Sequence, residues 1–107
     1  MSVVSIYCTF AGVEEAERVG RQVVEEQLAA CINILAPCRS IYRWQGKVEV
    51  TDETPAILKT TAAAADSLIA RIAELHSYEV PAITQWPVDQ AARGFSEWVE
   101  SGVRSLR

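Results

Sequence analysis

The sequence predicts an α+β fold in which two helices pack on one face of an antiparallel sheet. Strand-like and helix-like segments follow one another in the order β-α-β-β-α-β, and a further helical segment ends the chain. The middle of the chain, residues 30–60, has the alternating pattern of one long β-hairpin. Two β-α-β halves with right-handed crossovers give the ferredoxin-like split β-α-β sandwich, with a long protruding hairpin and a C-terminal helix.

Length and composition indicate one globular domain over residues 1–107, because half of the 107 residues are apolar. The net charge of −4 and the lack of a basic run make nucleic acid and membranes poor partners. The N-terminus has no charged segment or cleavage signal of an exported protein. The odd set of three cysteines, without a Cys-x-x-Cys pair, predicts free thiols in a reducing compartment, hence the cytoplasm.

The first strand is predicted over residues 2–9, which are rich in β-branched and aromatic side chains. Gly12 separates it from a helix over residues 13–28. Gly20 falls on the apolar stripe of that helix, where the missing side chain permits close helix–sheet contact. The stripe comprises Ala16, Val19, Gly20, Val23 and Gln27 or Leu28.

The hairpin is predicted to turn at Gln45-Gly46, because a glycine supplies the positive φ of a two-residue turn. Pro37 and Pro55 interrupt its two arms in facing positions, so each arm is expected to bend into a core half and a protruding half. The turn pairs Trp44 with Lys47, Arg43 with Val48, Tyr42 with Glu49, and Ile41 with Val50.

The second half of the chain repeats the pattern of helix and strand. Thr60 or Thr61 is expected to cap a helix over residues 62–75, and a loop follows over residues 76–81. A short strand is predicted over residues 82–88. A terminal helix over residues 94–103 is expected to turn Phe95, Trp98 and Val99 inward.

The hairpin carries large apolar side chains on both faces, and two helices cannot cover its whole length. Left in water, such an arm is an aggregation hazard, so we expect a partner chain to bury it. The predicted interface residues are Ile41, Tyr42, Trp44, Val48 and Val50.

Few residues carry recognisable chemistry. His76, the only histidine, reads either as a cation at a helix C-terminus or as a ligand or acid/base group. Cys8 and Cys31 are either small buried side chains or soft ligands, and a thiolate with an imidazole suits Cu(I) or Zn²⁺. Lys59, Tyr78 and Glu79 fit an ion pair and loop packing, or the lining of a pocket. A nucleophile–base pair and a phosphate-binding loop are both missing, which disfavours an enzyme.

Four segments then carry a specific resemblance. They are QLAACINI at 27–34, SIYRWQGKVE at 40–49, LKT at 58–60 and LHSYEVP at 75–81. Together they resemble the divalent-cation tolerance protein CutA (CutA1) family, in register over nearly the whole chain. The resemblance implies a homotrimer built by the hairpins, similar in architecture to PII signalling proteins, and a cytoplasmic role in tolerance of copper and other divalent cations.

The resemblance also implies site residues. Cys8 and His76 occupy positions described as copper ligands in some bacterial members, and Cys31, Lys59, Tyr78 and Glu79 would line an inter-subunit ligand cleft. Ser77 stands where the family usually has proline, and Leu75 where some members have a second histidine. The expected function is a non-enzymatic trimer that binds copper, another divalent cation or a small ligand, with no cofactor required for the fold.

Two other function classes stay open. The first is a PII-like signalling trimer with a small anionic or nucleotide effector, for which Lys59 would be the discriminating residue. The second is an enzyme with an inter-subunit site that uses His76 as acid/base.

Overall fold

The computed structural model describes residues 2–105, and in that range it contains five strands and three helices. The predicted order of elements is confirmed. The elements are β1 (Val3–Phe10), α1 (Val13–Glu25), β2 (Cys31–Ile34), β3 (Cys38–Trp44), β4 (Lys47–Thr61), α2 (Ala65–Leu75), β5 (Ile83–Pro87) and α3 (Arg93–Gly102).

The sheet has the order β2-β4-β1-β5 with antiparallel neighbours, and β3 pairs with the far half of β4. This is the predicted ferredoxin-like topology. Helices α1 and α2 cover one face of the sheet, here called the core face. Its fully buried side chains include Ile6, Cys8 and Phe10 from β1, Leu58 from β4, Val19 and Val23 from α1, and Leu68 and Ile72 from α2.

Helix α1 ends at Glu25, three residues before the predicted end. The chain turns at Gln27, whose φ of 61° is left-handed. The Leu28 N–H donates to the carbonyl of Val23 at 3.0 Å, and the Gln27 N–H to that of Val24 at 3.0 Å. This pattern is a Schellman cap. The cap brings Leu28 into the core, where the periodicity alone had suggested another turn of helix.

The hairpin turn is confirmed at Gln45-Gly46, where the φ values are 50° and 81°. All four predicted cross-strand pairs, from Trp44 with Lys47 to Ile41 with Val50, are also confirmed. Positive φ at both turn residues is the geometry that matches the twist of the two strands.

The predicted interruption occurs at Pro37 but not at Pro55, although both arms have the predicted core half and protruding half. Pro37 lies in the gap between β2 and β3, whereas β4 runs unbroken through Pro55. The Pro55 carbonyl accepts the Leu35 N–H at 2.9 Å. Because the N–H and C=O of a strand residue share one side, the missing N–H points to the gap between β2 and β3, where a strand partner is not needed.

Strand β4 therefore has two halves. Residues 54–61 pair with β1, while residues 47–53 pair with β3 alone. Residues 38–53 form the protruding hairpin, here called the arm. The structure measures 44 × 25 × 23 Å because the arm extends beyond the layered core.

Helix α2 begins at Ala65, later than the predicted residue 62. Thr60 does not cap it, because its hydroxyl donates to the Leu28 carbonyl at 2.7 Å. Thr61 instead accepts the Ala64 N–H at 3.2 Å, in a turn that leads into the helix. Among residues 2–105, none of the helices is long and apolar enough to span a membrane.

Helix α3 packs through Val99 against Val3 and Ala64, and Val103, the residue that follows the helix, joins the same cluster. The prediction that Phe95 and Trp98 also turn inward is wrong for the protomer, since Phe95 is 37% and Trp98 50% exposed. The two rings stack on each other, with centroids 5.9 Å apart. Only one i, i+4 ridge of this helix meets the sheet.

Candidate functional site

A groove of about 480 Å³ runs between the arm and the loop that follows α2. Its surface is mostly apolar, and three of its side chains are aromatic. We call it the aromatic groove, and it is lined by Thr9, Ser40, Tyr42, Trp44, Glu53, Tyr78, Glu79, Val80 and Ala82.

The arm wall of the groove follows from strand alternation. Tyr42 and Trp44 lie on the same face of β3, and the register places Glu53 on that face opposite Cys38. The Tyr42 hydroxyl hydrogen-bonds the Thr51 hydroxyl across the hairpin at 3.1 Å. The twist and pairing of the arm thus hold the aromatic rings toward the loop after α2.

His76 anchors the opposite wall. Its Nε2 lies 2.8 Å from the carbonyl oxygen of Thr9, and its Nδ1 accepts the Tyr78 N–H at 3.1 Å. The carbonyl can only accept, so the ring is the tautomer protonated on Nε2. The ring stacks on Phe10 with centroids 4.9 Å apart and its side chain is fully buried. Both nitrogens are engaged, and Tyr78 is held over the groove.

Glu15 holds the same loop from α1. Its Oε1 accepts the Ala11 N–H at 3.0 Å, its Oε2 accepts the Ser77 N–H at 2.7 Å, and Oε2 lies 3.8 Å from Nδ1 of His76. Burial opposes ionisation of Glu15, but hydrogen bonds from Ser77 and Ala11, together with His76, lower its pKa below the ordinary value. The sequence analysis missed Glu15, because its partners are backbone groups from distant segments.

Cys8 lies beside His76. Its Sγ contacts the Thr9 carbonyl at 3.6 Å, so the thiol and the imidazole meet at one oxygen atom. The side chain is fully buried, and burial together with Glu15 and Glu53 raises the pKa of the thiol to about 12. The thiol is therefore protonated at neutral pH.

This arrangement does not fit a metal centre within one protomer. A ligating cysteine must be a thiolate and a ligating imidazole needs a free nitrogen, and in this conformation Cys8 and His76 offer neither. Residues 2–105 also contain no group of three His, Cys, Asp or Glu side chains placed to hold a metal ion.

The structure divides the predicted ligand cleft. Tyr78 and Glu79 line the aromatic groove, together with two predicted interface residues, Tyr42 and Trp44. Cys31 and Lys59 face each other across β2 and β4. Lys59 lies six residues from Glu53 along β4, about 20 Å at ~3.3 Å per residue. One protomer therefore does not bring these two pairs together.

Glu53 is a charged groove residue that the sequence analysis missed. It is only 9% exposed, and it has no salt bridge within residues 2–105. Burial, followed by the nearby Glu53 carboxylate, raises the pKa of Tyr78. The predicted hairpin pairs ended at Ile41 with Val50. Continuing the same register by three pairs toward the core gives Cys38 with Glu53, which places Glu53 on the same face as Tyr42.

The opposite face of the arm carries an exposed apolar patch beside Arg43 and the ion pair of Arg39 with Asp52. Ile41 is 69%, Val48 63% and Val50 58% exposed. They pair or neighbour one another across β3 and β4, and so form one continuous patch. Such a patch is typical of a protein interaction surface.

Comparisons of sequence and of fold give the same result. Residues 4–102 match the family model described as CutA1 divalent ion tolerance protein. The divalent-cation tolerance protein CutA of Pyrococcus horikoshii is 40% identical over 97 residues, covering 91% of this chain and 94% of that protein. The crystal structure of CutA1 from Oryza sativa has a TM-score of 0.95 at 29% identity, covering 99% of this chain and 97% of that chain. The structure named as the periplasmic divalent cation tolerance protein CutA from Archaeoglobus fulgidus has a TM-score of 0.91 at 33% identity, covering 95% and 99%.

Proposed function

We propose a function that starts from one premise: the chain belongs to the CutA1 divalent ion tolerance protein family. The family model and several relatives are named for divalent-cation tolerance, and their names describe no enzyme activity. We propose that this chain is a non-enzymatic binding protein that acts as a homotrimer in the cellular response to metal ions. Its binding site, in this proposal, is the aromatic groove.

The observation that carries the proposal is the groove itself. At about 480 Å³ it has the volume of a small-molecule site, and it joins apolar walls to a few polar groups. Its Tyr42 and Trp44 wall belongs to the arm, whose other face carries the uncovered patch of Ile41, Val48 and Val50. Burying that patch in a trimer would place the groove beside a subunit boundary.

The test is to identify the molecule or ion that co-purifies with the protein and to determine whether it binds in the aromatic groove. The native protein and its variant Tyr78→Ala would be purified, denatured and examined by mass spectrometry and metal analysis. Trp98→Ala is a matched control, because Trp98 is an exposed aromatic residue on α3. We expect a released molecule or ion from the parent and the control, and at least tenfold less from Tyr78→Ala, because the variant loses a wall of the groove. Metal tolerance of a host that lacks its own family member should follow the same order.

Equal amounts of co-purified ligand in Tyr78→Ala and Trp98→Ala would contradict the proposal. So would a trimer without any co-purified ligand whose Tyr78→Ala variant fully restores metal tolerance. Either result would separate the groove from the family function.

A copper site at Cys8 and His76 is a second candidate, favoured by the approach of both side chains to the Thr9 carbonyl. In this candidate the imidazole must release its backbone hydrogen bonds, the thiol must lose its proton, and further donors must come from outside the protomer. Soft donors of this kind prefer copper over Mg²⁺.

The copper candidate predicts that Cu(I) or Cu(II) binds in preference to Mg²⁺, and that His76→Ala weakens copper binding at least tenfold because a ligand is lost. Isothermal titration of the parent and of the double variant Cys8→Ser/His76→Ala checks this. Cys38→Ser is a suitable control, since Cys38 is a free thiol on the arm. Unchanged copper affinity in the double variant would rule the site out.

The PII-like alternative requires an anionic effector. Its discriminating residue, Lys59, lies away from the groove in the protomer, and the charged side chains that line the groove within residues 2–105 are carboxylates. An effector bound by Lys59 would therefore occupy another place. Loss of nucleotide binding in Lys59→Ala would support that alternative. The cytoplasm remains our proposed location, from the three free cysteines, although one relative is named periplasmic.

A further inference from the structure

The charged groups of the aromatic groove have one sign. Among residues 2–105, its only charged lining side chains are the carboxylates Glu53 and Glu79. Glu53 is nine-tenths buried, and within residues 2–105 it has no cationic side chain as a salt-bridge partner. A buried carboxylate without a cationic partner is costly, so a bound cation would stabilise this site.

The walls of the groove select among cations. Tyr42, Trp44 and Tyr78 present aromatic rings, whose faces attract cations most strongly when water is excluded. Val80 and Ala82 add apolar surface. A bare metal ion would leave most of the 480 Å³ unfilled and would not use the apolar walls. An anionic nucleotide would meet two carboxylates without a compensating cation.

We infer that the aromatic groove binds an organic ammonium cation, with the charged nitrogen between Glu53 and the aromatic rings and the carbon skeleton against the apolar wall. This inference rests on the proposed function, because it names the class of ligand for the same groove.

The test uses two probes of nearly equal shape, choline and 3,3-dimethyl-1-butanol, which differ in the positive charge. Both would be titrated against the native full-length protein by NMR. We expect choline to bind at least tenfold more tightly than the neutral alcohol, because only choline pairs with the carboxylates and the ring faces. Glu53→Gln should weaken choline binding at least fivefold and leave the alcohol unaffected.

Glu49→Gln is the matched control, since Glu49 is exposed and lies on the same face of β4 without lining the groove. It should leave choline binding unchanged. Circular dichroism and sedimentation of each variant would verify that the fold and the assembly state are preserved.

Three outcomes would overturn the inference: equal binding of both probes, choline binding that does not depend on Glu53, or displacement of choline by ATP or by Cu²⁺ bound at Glu53. If choline fails while Tyr78→Ala still loses its co-purified ligand, the cation class is wrong and the groove function stands. If choline passes while Tyr78→Ala has normal tolerance, the groove binds a cation but the proposed function fails.

Discussion

Both ring nitrogens of His76 are bonded to the backbone, so the only histidine acts in this conformation as a bridge between β1 and the loop after α2. The sequence marked His76 and its loop as functional candidates. It could not supply the partners, because the Thr9 carbonyl and the Tyr78 N–H are groups that every residue has. Glu15 escaped prediction for the same reason. Residue type identifies a side chain that could bind a ligand. Only the fold shows whether its polar atoms are already hydrogen-bonded within the protein.

At this scale the pH dependence of Glu15 gives a prediction. Its folded pKa is lowered from the ordinary value of 4.5, so its contribution to stability is present above pH 4.5 and is lost as the pH falls through the folded value. Glu15→Gln should therefore be less stable than the parent at pH 7, and the difference should shrink as the pH falls below 4.5. Thermal unfolding across that range measures it.

Glu14→Gln is the control for Glu15, because Glu14 is the exposed neighbour in the first turn of α1. It should follow the parent at every pH. A stability difference for Glu15→Gln that stays constant with pH would show that packing, and not charge, explains the role of Glu15.

The strands and helices were predicted well where a local sequence pattern is enough to determine them. Alternation and a two-residue turn determined the arm and its register, and periodicity determined the buried stripe of α1. The errors fall where tertiary contacts decide. Helix α1 stops early because Leu28 gains a place in the core, and β4 passes through Pro55 because the neighbouring strand is interrupted there. The position of Phe95 and Trp98 depends on how far α3 tilts onto the sheet.

The contact between α1 and β2 gives the prediction at the scale of elements. A Cβ at Gly20 would lie 2.7 Å from Cδ1 and 3.0 Å from Cγ2 of Ile32. Gly20→Ala should gain about 1 kcal/mol of helix propensity but lose ~1–3 kcal/mol to overpacking, since the β-branched Cγ2 has little freedom. We expect net destabilisation of the protein.

The double variant Gly20→Ala/Ile32→Val should recover part of that loss, because the valine lacks Cδ1. Chemical unfolding of the two single variants and the double variant gives the coupling energy directly. Strictly additive effects would mean that the helix and strand separate without cost, and that Gly20 is not needed for their approach.

At the scale of the whole molecule, the chain leaves an apolar surface uncovered. Its arm projects from the layered core with Ile41, Val48 and Val50 uncovered. The sequence predicted that surface from alternation alone. It could not predict the groove on the other face, since that cavity needs the loop after α2 to fold back beside the arm. Assembly around a threefold axis, our proposal for this chain, would bury the apolar patch and leave the groove near the boundary.

The assembly prediction is an obligate trimer that buries ~2,000 Å² or more in total. Folding and assembly should be one transition, so the melting temperature should rise with protein concentration. Val50→Asp should prevent assembly, because an unpaired charge inside the interface is strongly destabilising. Trp44→Asp should do the same, because the predicted interface also includes the aromatic face of the arm.

Gln45→Asp, at the exposed turn, adds the same charge outside the apolar patch and should leave the trimer intact. Analytical ultracentrifugation at micromolar concentration distinguishes the outcomes. A stable folded monomer of the parent would disprove the assembly. Trimers of undiminished stability for both Val50→Asp and Trp44→Asp would also disprove it.

Because β4 is continuous from the arm into the core, the two regions share one phase of alternation. Inserting or deleting a single residue between Lys47 and Glu53 would rotate every following position of the arm strand by half a period, and its groove-facing side chains would exchange places with its patch-facing ones. Changes of two residues, matched by two in β3, would restore the phase and alter only the reach of the arm. The length of the arm in this lineage is therefore expected to drift in even, paired steps, while its two faces keep their separate chemistries.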